Sequence, residues 1–241
     1  MILLQIFGNA LLMWLLYYWL GIGEANAGQL LWSALVALLI AAAACCLHGA
    51  AFEYFRESPR RLRPAFGVTL RHLLPMLAAV IAIGVVYLFI FQIADWCSKP
   101  AFTIASYLTQ KLRTPIKPAS LLKGFLAVLW VVRWIVLPVL LLPMVAGIAS
   151  RGWSGFGAFG ARARSWRYWI EALALTLLAL WIPFRLVGWV PHANSFSMEM
   201  ISFLARATAG YLLFVGAWLL LVFITSSGTP RLSQPSTVPS P

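Results

Sequence analysis

Residues 155–160 read GFGAFG, the glycine spacing that cradles a dinucleotide phosphate when a strand precedes it and a helix follows it. That fingerprint also needs a βαβ unit of about 30 residues around it. Here the stretch lies in an Arg-rich segment between two long apolar runs, which leaves no room for such a unit. The context argues against nucleotide binding and predicts a flexible loop that closes onto a membrane.

Three arginines, Arg133, Arg185 and Arg206, lie inside long apolar runs. Ionisable groups at such positions are functional candidates, because burying a charge in hydrocarbon is costly. Each is expected toward the outer end of its span, and three guanidiniums at one depth could hold a phospholipid headgroup or another anion. The simpler alternative is that each side chain extends separately to the membrane surface. Both interpretations stay open.

A second basic set lies between the apolar runs. The segment RESPRRLR and its surroundings predict contacts with anionic lipid at the cytoplasmic surface, at about 1 kcal/mol per basic residue. The residues assigned to these contacts are Arg56, Arg60, Arg61, Arg63, Arg71 and Arg164.

Catalytic motifs are absent from the sequence. It contains no H-E-x-x-H, no G-x-S-x-G and no pair of aspartates on one apolar run. Asp95 is the only aspartate, and His48, His72 and His192 are expected on both membrane faces, so they cannot form one metal site. The three cysteines lack metal-ligand spacing. We expect a non-enzymatic protein with no cofactor and no metal.

Composition defines the elements that must position these residues. Of 241 residues, 62% are hydrophobic and 10% charged, whereas soluble domains carry about 25% charged residues. The net charge of +12 would indicate nucleic acid in a soluble protein, but here the basic residues lie mostly between apolar runs, so no nucleic-acid partner is expected. Runs long enough to cross a bilayer predict an all-α polytopic transmembrane bundle over residues 1–225. Its six spans are residues 2–20, 29–48, 73–94, 121–148, 168–190 and 201–224. Residues 226–241 are Pro/Ser-rich and predict a disordered tail.

Basic residues also predict the orientation. The segments after spans two and four are rich in arginine, whereas the short loops after spans one and five contain neither Lys nor Arg. The positive-inside rule therefore places both termini in the cytoplasm, and we expect the bacterial inner membrane. The 95–120 segment disagrees, because it carries four basic residues on the predicted outer side. An alternative for the amino terminus is a signal peptide cleaved after the A-x-A pattern at residues 25–27.

The 95–120 segment contains an amphipathic helix with Phe102, Ala105, Leu108 and Leu112 on one face. This helix is expected either in the headgroup layer or packed on the bundle. Because of Arg133, span four is expected to begin effectively near Trp134, which would leave SLLKGFLAVLWVV as a separate interfacial or re-entrant piece. Spans four and five contain prolines at which kinks are predicted, namely Pro138, Pro143 and Pro183.

The stretch RLRPAFGVTLRHLLPMLAAVIAIGV is similar to poorly characterised six-helix prokaryotic membrane proteins, some of them related to the membrane domain of glycerophosphodiester phosphodiesterases. The resemblance extends over spans two to six as a pattern and implies a compact six-helix bundle, without assigning functional residues. Its AFG-x-x-x-R motif at residues 65–71 recurs at 158–164, which indicates either an internal repeat or a coincidence between two Arg-rich segments.

These patterns favour a membrane-embedded interaction or lipid-contacting module, with anionic membrane lipids as partners and a protein partner or a second copy of the chain as further candidates. The alternative is a small transporter or permease subunit that handles an anionic substrate. That alternative requires Arg133, Arg185 and Arg206 to converge on a water-accessible cavity.

Overall fold

A computed structural model describes residues 1–23, 25–190 and 195–227 of the chain. Within these ranges the protein is almost entirely helical and contains no strand, which confirms the all-α prediction. The helices, in chain order, are α1 (Ile2–Leu20), α2 (Ala27–Arg56), α3 (Leu62–Arg71), α4 (Leu73–Trp96), α5 (Ser98–Leu112), α6 (Pro118–Val131), α7 (Leu137–Arg151), α8 (Trp166–Gly188) and α9 (Phe196–Ser227). A π-helical turn, Val132–Val136, joins α6 to α7, and a 3₁₀ segment, Gly152–Ala158, follows α7.

Six helical segments of the described chain are long and apolar enough to cross a membrane, counting Pro118–Ala158 as one. Many of their large side chains have no protein neighbours to cover them, and Phe7, Tyr17 and Phe184 are 70%, 79% and 78% exposed. A soluble protein could not present such a surface to water, whereas hydrocarbon covers it at no cost. The chain is therefore a multi-pass helical membrane protein.

Helix α2 lies at the centre of the bundle and packs against α1, α3, α4, α7 and α9, while α8 packs mainly against α9. The buried core joins Phe52 of α2 to Val139 and Ile148 of α7 and to Val222 of α9. Asn26 fixes the start of α2 because its side chain accepts a hydrogen bond from the Gln29 backbone N–H at 2.9 Å.

Several element boundaries differ from those expected. Helix α2 continues to Arg56, well past residue 48, and α3 occupies much of the Arg-rich segment that was expected to be a loop. Helix α9 continues to Ser227, so the bundle extends past residue 225, and the rest of the predicted tail lies outside the described residues. Arg-rich sequence does not by itself end a helix, since Arg is a good helix former.

Helix α5 packs on α6, and its Ala101 and Ala105 are buried. This contact agrees with the alternative in which the helix of the 95–120 segment packs on the bundle. Phe102 and Leu112, which were expected on its apolar face, remain 64% and 57% exposed.

Span four is continuous from Pro118 to Arg151, so SLLKGFLAVLWVV is not a separate piece as the position of Arg133 suggested. At 1.5 Å per residue this segment is about 50 Å long, more than the ~30 Å hydrocarbon core requires. The π-helical turn absorbs the effect of Pro138 without ending the helix. The N–H of Leu137 reaches back five residues to the Val132 carbonyl.

The π-helical turn leaves one carbonyl without a donor from its own helix. In this register the N–H expected to reach the Arg133 carbonyl belongs to Pro138, which has none. The Tyr87 hydroxyl of α4 donates to the Arg133 carbonyl instead, at 2.8 Å. A neighbouring helix thus satisfies a backbone group that a bilayer could not.

Pro143 inside α7, five residues after Pro138, creates the same need. It cannot donate to the Val139 carbonyl, which instead lies 3.3 Å from the donating Tyr168 hydroxyl of α8. The adjacent Leu140 carbonyl accepts from the Gly160 N–H at 3.2 Å. Near Pro138 and Pro143, where kinks were predicted, neighbouring segments therefore form hydrogen bonds to the carbonyls of span four.

We expect Tyr87→Phe to lower the free energy of unfolding by about 1 kcal/mol, because it leaves the Arg133 carbonyl unpaired. The measurement is SDS titration of the protein in bicelles, with exposed Tyr17→Phe as the matched control. In a Pro138→Ala background the restored N–H can supply that carbonyl, so Tyr87→Phe should cost less there. An equal cost in both backgrounds would show that the proline does not create the need for the hydroxyl.

Candidate functional site

At one end of the bundle α2 ends, α3 follows and α4 begins; we call it the Arg-rich end (residues 53–72 and 151–168). Helix α3 lies against α2 through Ala65 and Thr69, which are fully buried. Gly49 of α2 permits this approach, since an added Cβ there would lie 2.5 Å from the Thr69 methyl group. Close packing on α2 therefore fixes which faces α3 presents outward.

The outward surface of α3 carries both charge and apolar groups. Arg63 and Arg71 are exposed and stand two helical turns apart on one face. Leu62 and Leu70 have the same spacing on the adjoining face and are 40% and 57% exposed. A short helix with a basic face beside an apolar one is suited to the boundary between headgroups and acyl chains.

The arginines just before α3 behave differently from each other. Arg60 stands over the rings of Phe55 and Phe223, at 5.6 and 5.8 Å from their centroids, and so covers the ends of α2 and α9. Arg61 and Arg164 are exposed as Arg60 is, but neither has an aromatic contact among those found in the described chain. Only Arg61 and Arg164 can therefore meet lipid phosphates without leaving an aromatic partner.

Arg56, expected at the lipid surface, has a partner inside the protein. Its guanidinium contacts Glu53 at 2.7 Å, and Glu53 is fully buried. The second carboxylate oxygen of Glu53 has no hydrogen-bond partner among the described residues. Glu53 was not among the residues expected to be functional, although its position three residues before Arg56 is the sequence signal that predicts such a pair on one helix.

Arg162 is a second residue without an assigned role in the sequence analysis. It donates to the Ile224 carbonyl in the last turn of α9 and stands 5.6 Å from the Tyr168 ring. Burial lowers the pKa of the Arg162 guanidinium from its ordinary value. It thereby ties the segment before α8 to the backbone of α9.

The GFGAFG stretch forms the end of the 3₁₀ segment and the turn after it, with no strand before it in the described chain. Gly155 lies directly on α7, where a Cβ would overlap the backbone nitrogen of Ile148. Gly160 has φ +62°, which suits glycine, and this turn presents its N–H to Leu140. The glycines therefore permit close packing onto α7.

The two AFG-x-x-x-R motifs adopt different structures. Residues 65–71 lie within helix α3, whereas residues 158–164 run from the 3₁₀ segment into a turn. Of the two glycines, Gly160 has a positive φ and Gly67 is helical. Identical letters thus have different backbone conformations, which favours coincidence over a structural repeat.

At the opposite end of the bundle, Arg206 of α9 is nearly buried, with 9% of its surface exposed. It donates to the carbonyls of Leu186 and Val187 at 3.4 and 3.2 Å, and to Ser202 of its own helix at 3.1 Å. These carbonyls belong to the last turn of α8 and have no donor within that helix. Arg206 therefore fastens α8 to α9.

Arg185 lies next to this junction but faces outward. Its guanidinium stands 5.4 Å from the Trp181 ring, and its side chain is exposed. An open groove of about 290 Å³ surrounds it, lined by Trp181, Ile182, Arg185, Leu186 and Trp189.

Arg133 has a third set of partners. It lies in the π-helical turn, with its guanidinium 4.4 Å from the Phe91 ring and 5.2 Å from the Trp134 ring. Its buried Nε has no hydrogen-bond partner among the described residues. Arg185 and the guanidinium of Arg206 thus both lie at the last turn of α8, one facing outward and the other bonded to its carbonyls. Arg133 lies beside α4. These contacts do not bring the three arginines together in the single cavity that the permease alternative required.

No cluster of three or more His, Cys, Asp or Glu side chains able to hold a metal ion occurs in the described part of the chain. Comparison with protein-family models, with curated proteins and with solved structures finds no match to this chain. The similarity to six-helix prokaryotic membrane proteins therefore stays a prediction. The fold defines the class, a multi-pass helical membrane protein, and the surface chemistry must indicate the function.

We expect Gly155→Ala to destabilise the protein severely, by more than the ~1–3 kcal/mol typical of overpacking, because the backbone of α7 cannot move aside as a side chain would. Gly157→Ala is the matched control, since nothing lies within 4 Å of its added Cβ. Thermal unfolding and monodispersity in detergent measure the effect. Equal behaviour of the two variants would show that the 3₁₀ segment does not pack on α7 as described.

Proposed function

We propose that this protein is a non-enzymatic membrane module that contacts anionic lipid through its Arg-rich end. The observation that carries the proposal is α3, which is held against α2 by buried Ala65 and Thr69 and presents Arg63 and Arg71 beside Leu62 and Leu70. Residues fixed in this way meet headgroup phosphates and acyl chains at once.

The attraction to anionic lipid comes from the exposed basic residues of this end. A juxtamembrane Lys or Arg gains about 1 kcal/mol from an anionic surface, and the gain decreases with salt. Arg61, Arg63, Arg71 and Arg164 are exposed and supply this attraction. Arg56 and Arg60 contribute charge from positions already held by Glu53 and by Phe55 and Phe223, respectively.

The proposal includes an orientation. The Arg-rich end and both termini face the cytoplasm, and the membrane is the bacterial inner membrane, whose inner surface such arginines suit. The Lys-containing α5 then lies outside. Its basic residues oppose this orientation, which rests on the larger number of arginines at the Arg-rich end.

Replacing Arg61, Arg63, Arg71 and Arg164 together by Gln should reduce the enrichment of anionic over zwitterionic lipid around the protein by about fivefold or more. Gln preserves helix propensity, so α3 should persist. Mass spectrometry of lipid extracted with the protein in polymer-bounded discs measures the enrichment. The matched control replaces Lys99, Lys111 and Lys117 by Gln. Unchanged enrichment in the arginine variant, or an equal loss in the lysine variant, would contradict the proposal.

The orientation is tested with single cysteines in a variant without Cys45, Cys46 and Cys97. In intact spheroplasts, a membrane-impermeant maleimide should label Thr114→Cys, which is exposed after α5. Arg61→Cys should react only after lysis. The reverse order of labelling would place the Arg-rich end outside.

A further inference from the structure

We propose that the groove around Arg185 binds the phosphodiester headgroup of one anionic phospholipid, in the leaflet opposite to that of the Arg-rich end. The inference rests on the membrane placement in the proposed function, but it concerns different residues, a different surface and a bound lipid in place of a general attraction.

The groove follows from helix geometry. Trp181, Arg185 and Trp189 are spaced by four residues, so they form one stripe on α8 and its end. The two indoles are 53% and 62% exposed and line the groove together with Arg185. Ile182 and Leu186 complete the lining, so one cation stands in an otherwise apolar groove.

The guanidinium of Arg185 is available to an anion. The single ion pair within the described ranges joins Glu53 to Arg56, at the other end of the bundle. The one contact found for the Arg185 guanidinium is with the Trp181 ring, 5.4 Å from its centroid, and no hydrogen bond within the described ranges occupies its N–H donors. Two parallel N–H groups match two phosphate oxygens.

Arg206 removes the main electrostatic obstacle. The last carbonyls of a helix carry partial negative charge, which repels an anion placed beside them. Here the carbonyls of Leu186 and Val187, directly after Arg185, accept hydrogen bonds from Arg206. An anion on Arg185 therefore approaches a helix end that is already neutralised.

The surroundings favour a phospholipid over a free anion. Trp rings prefer the headgroup level of a bilayer, where an apolar body and a polar N–H are both satisfied. The neighbouring Phe184 is 78% exposed and continues the apolar surface along which acyl chains can lie. Inorganic phosphate would use the guanidinium but leave both indoles and Phe184 unused.

The test is native mass spectrometry of the full-length protein released from nanodiscs that contain equal phosphatidylglycerol and phosphatidylcholine. We expect one retained phosphatidylglycerol per chain, identified by its mass. Arg185→Gln should reduce its retention about tenfold, whereas Arg185→Lys, which keeps the charge but loses the fork, should reduce it less. Replacing both Trp181 and Trp189 by Leu should also weaken retention. Arg206 is left unchanged because it holds α8 to α9.

The matched control is Arg113→Gln, an exposed arginine of the α5–α6 connection with no aromatic contact among those found in the described chain. The proposal is overturned if Arg185→Gln retains the lipid as the unmodified protein does, or if Arg113→Gln loses it equally. Equal retention of phosphatidylcholine would overturn the charge argument. Displacement of the adduct by millimolar inorganic phosphate, with a phosphate mass in its place, would overturn the phospholipid assignment.

The same spectra separate this proposal from the proposed function. The quadruple variant of the Arg-rich end should keep the tightly bound lipid on Arg185 while losing general anionic enrichment. Loss of the bound lipid in Arg185→Gln alone, with enrichment unchanged, supports the groove. The opposite pattern, in which only the Arg-rich end affects any lipid, overturns the groove and leaves the proposed function standing.

Discussion

Hydrocarbon offers no hydrogen-bond donor to a backbone carbonyl, and the structure depends on this constraint wherever a helix is interrupted. Pro138 and Pro143 each remove a donor from span four. The hydroxyls of Tyr87 and Tyr168 replace those donors, from α4 and α8 respectively. Two prolines that would weaken a lone helix thus determine where its neighbours attach. The polar contacts that hold this bundle together run largely from side chains to backbone.

Some arginines also supply hydrogen bonds to backbone carbonyls, whereas others face outward. Arg162 and Arg206 point inward and supply the carbonyls at the ends of α9 and α8. Arg63, Arg71 and Arg185 point outward, beside apolar or aromatic groups. The basic residues behind the net charge of +12 therefore include an inward-facing group and an outward-facing group of arginines, and only the outward-facing group can reach lipid.

Hydropathy predicted the fold class and the six spans, because length and apolar content are properties of each segment alone. It did not predict that α2 continues to Arg56 or that Glu53 is buried there, since both follow from packing between distant segments. Likewise, the sequence marked Arg133, Arg185 and Arg206 as unusual but could not separate them. Their environments depend on Phe91, on Trp181 and on the end of α8, which only the assembled bundle places. The glycines of GFGAFG carried a familiar spacing, yet contact with α7 explains Gly155 better.

The fold-back of the 3₁₀ segment has a mechanical consequence. Gly155 is seated on Ile148, Gly160 is bonded to Leu140, and Tyr168 is bonded to Val139. These three attachments join α7 and the first turn of α8 into one stiff strut. The wide turn at Val132–Val136 lies outside α-helical register, and Tyr87 and Phe91 of α4 contact it at Arg133. Span four is thus braced along α7 by the 3₁₀ segment and α8, and at its π-helical turn by α4.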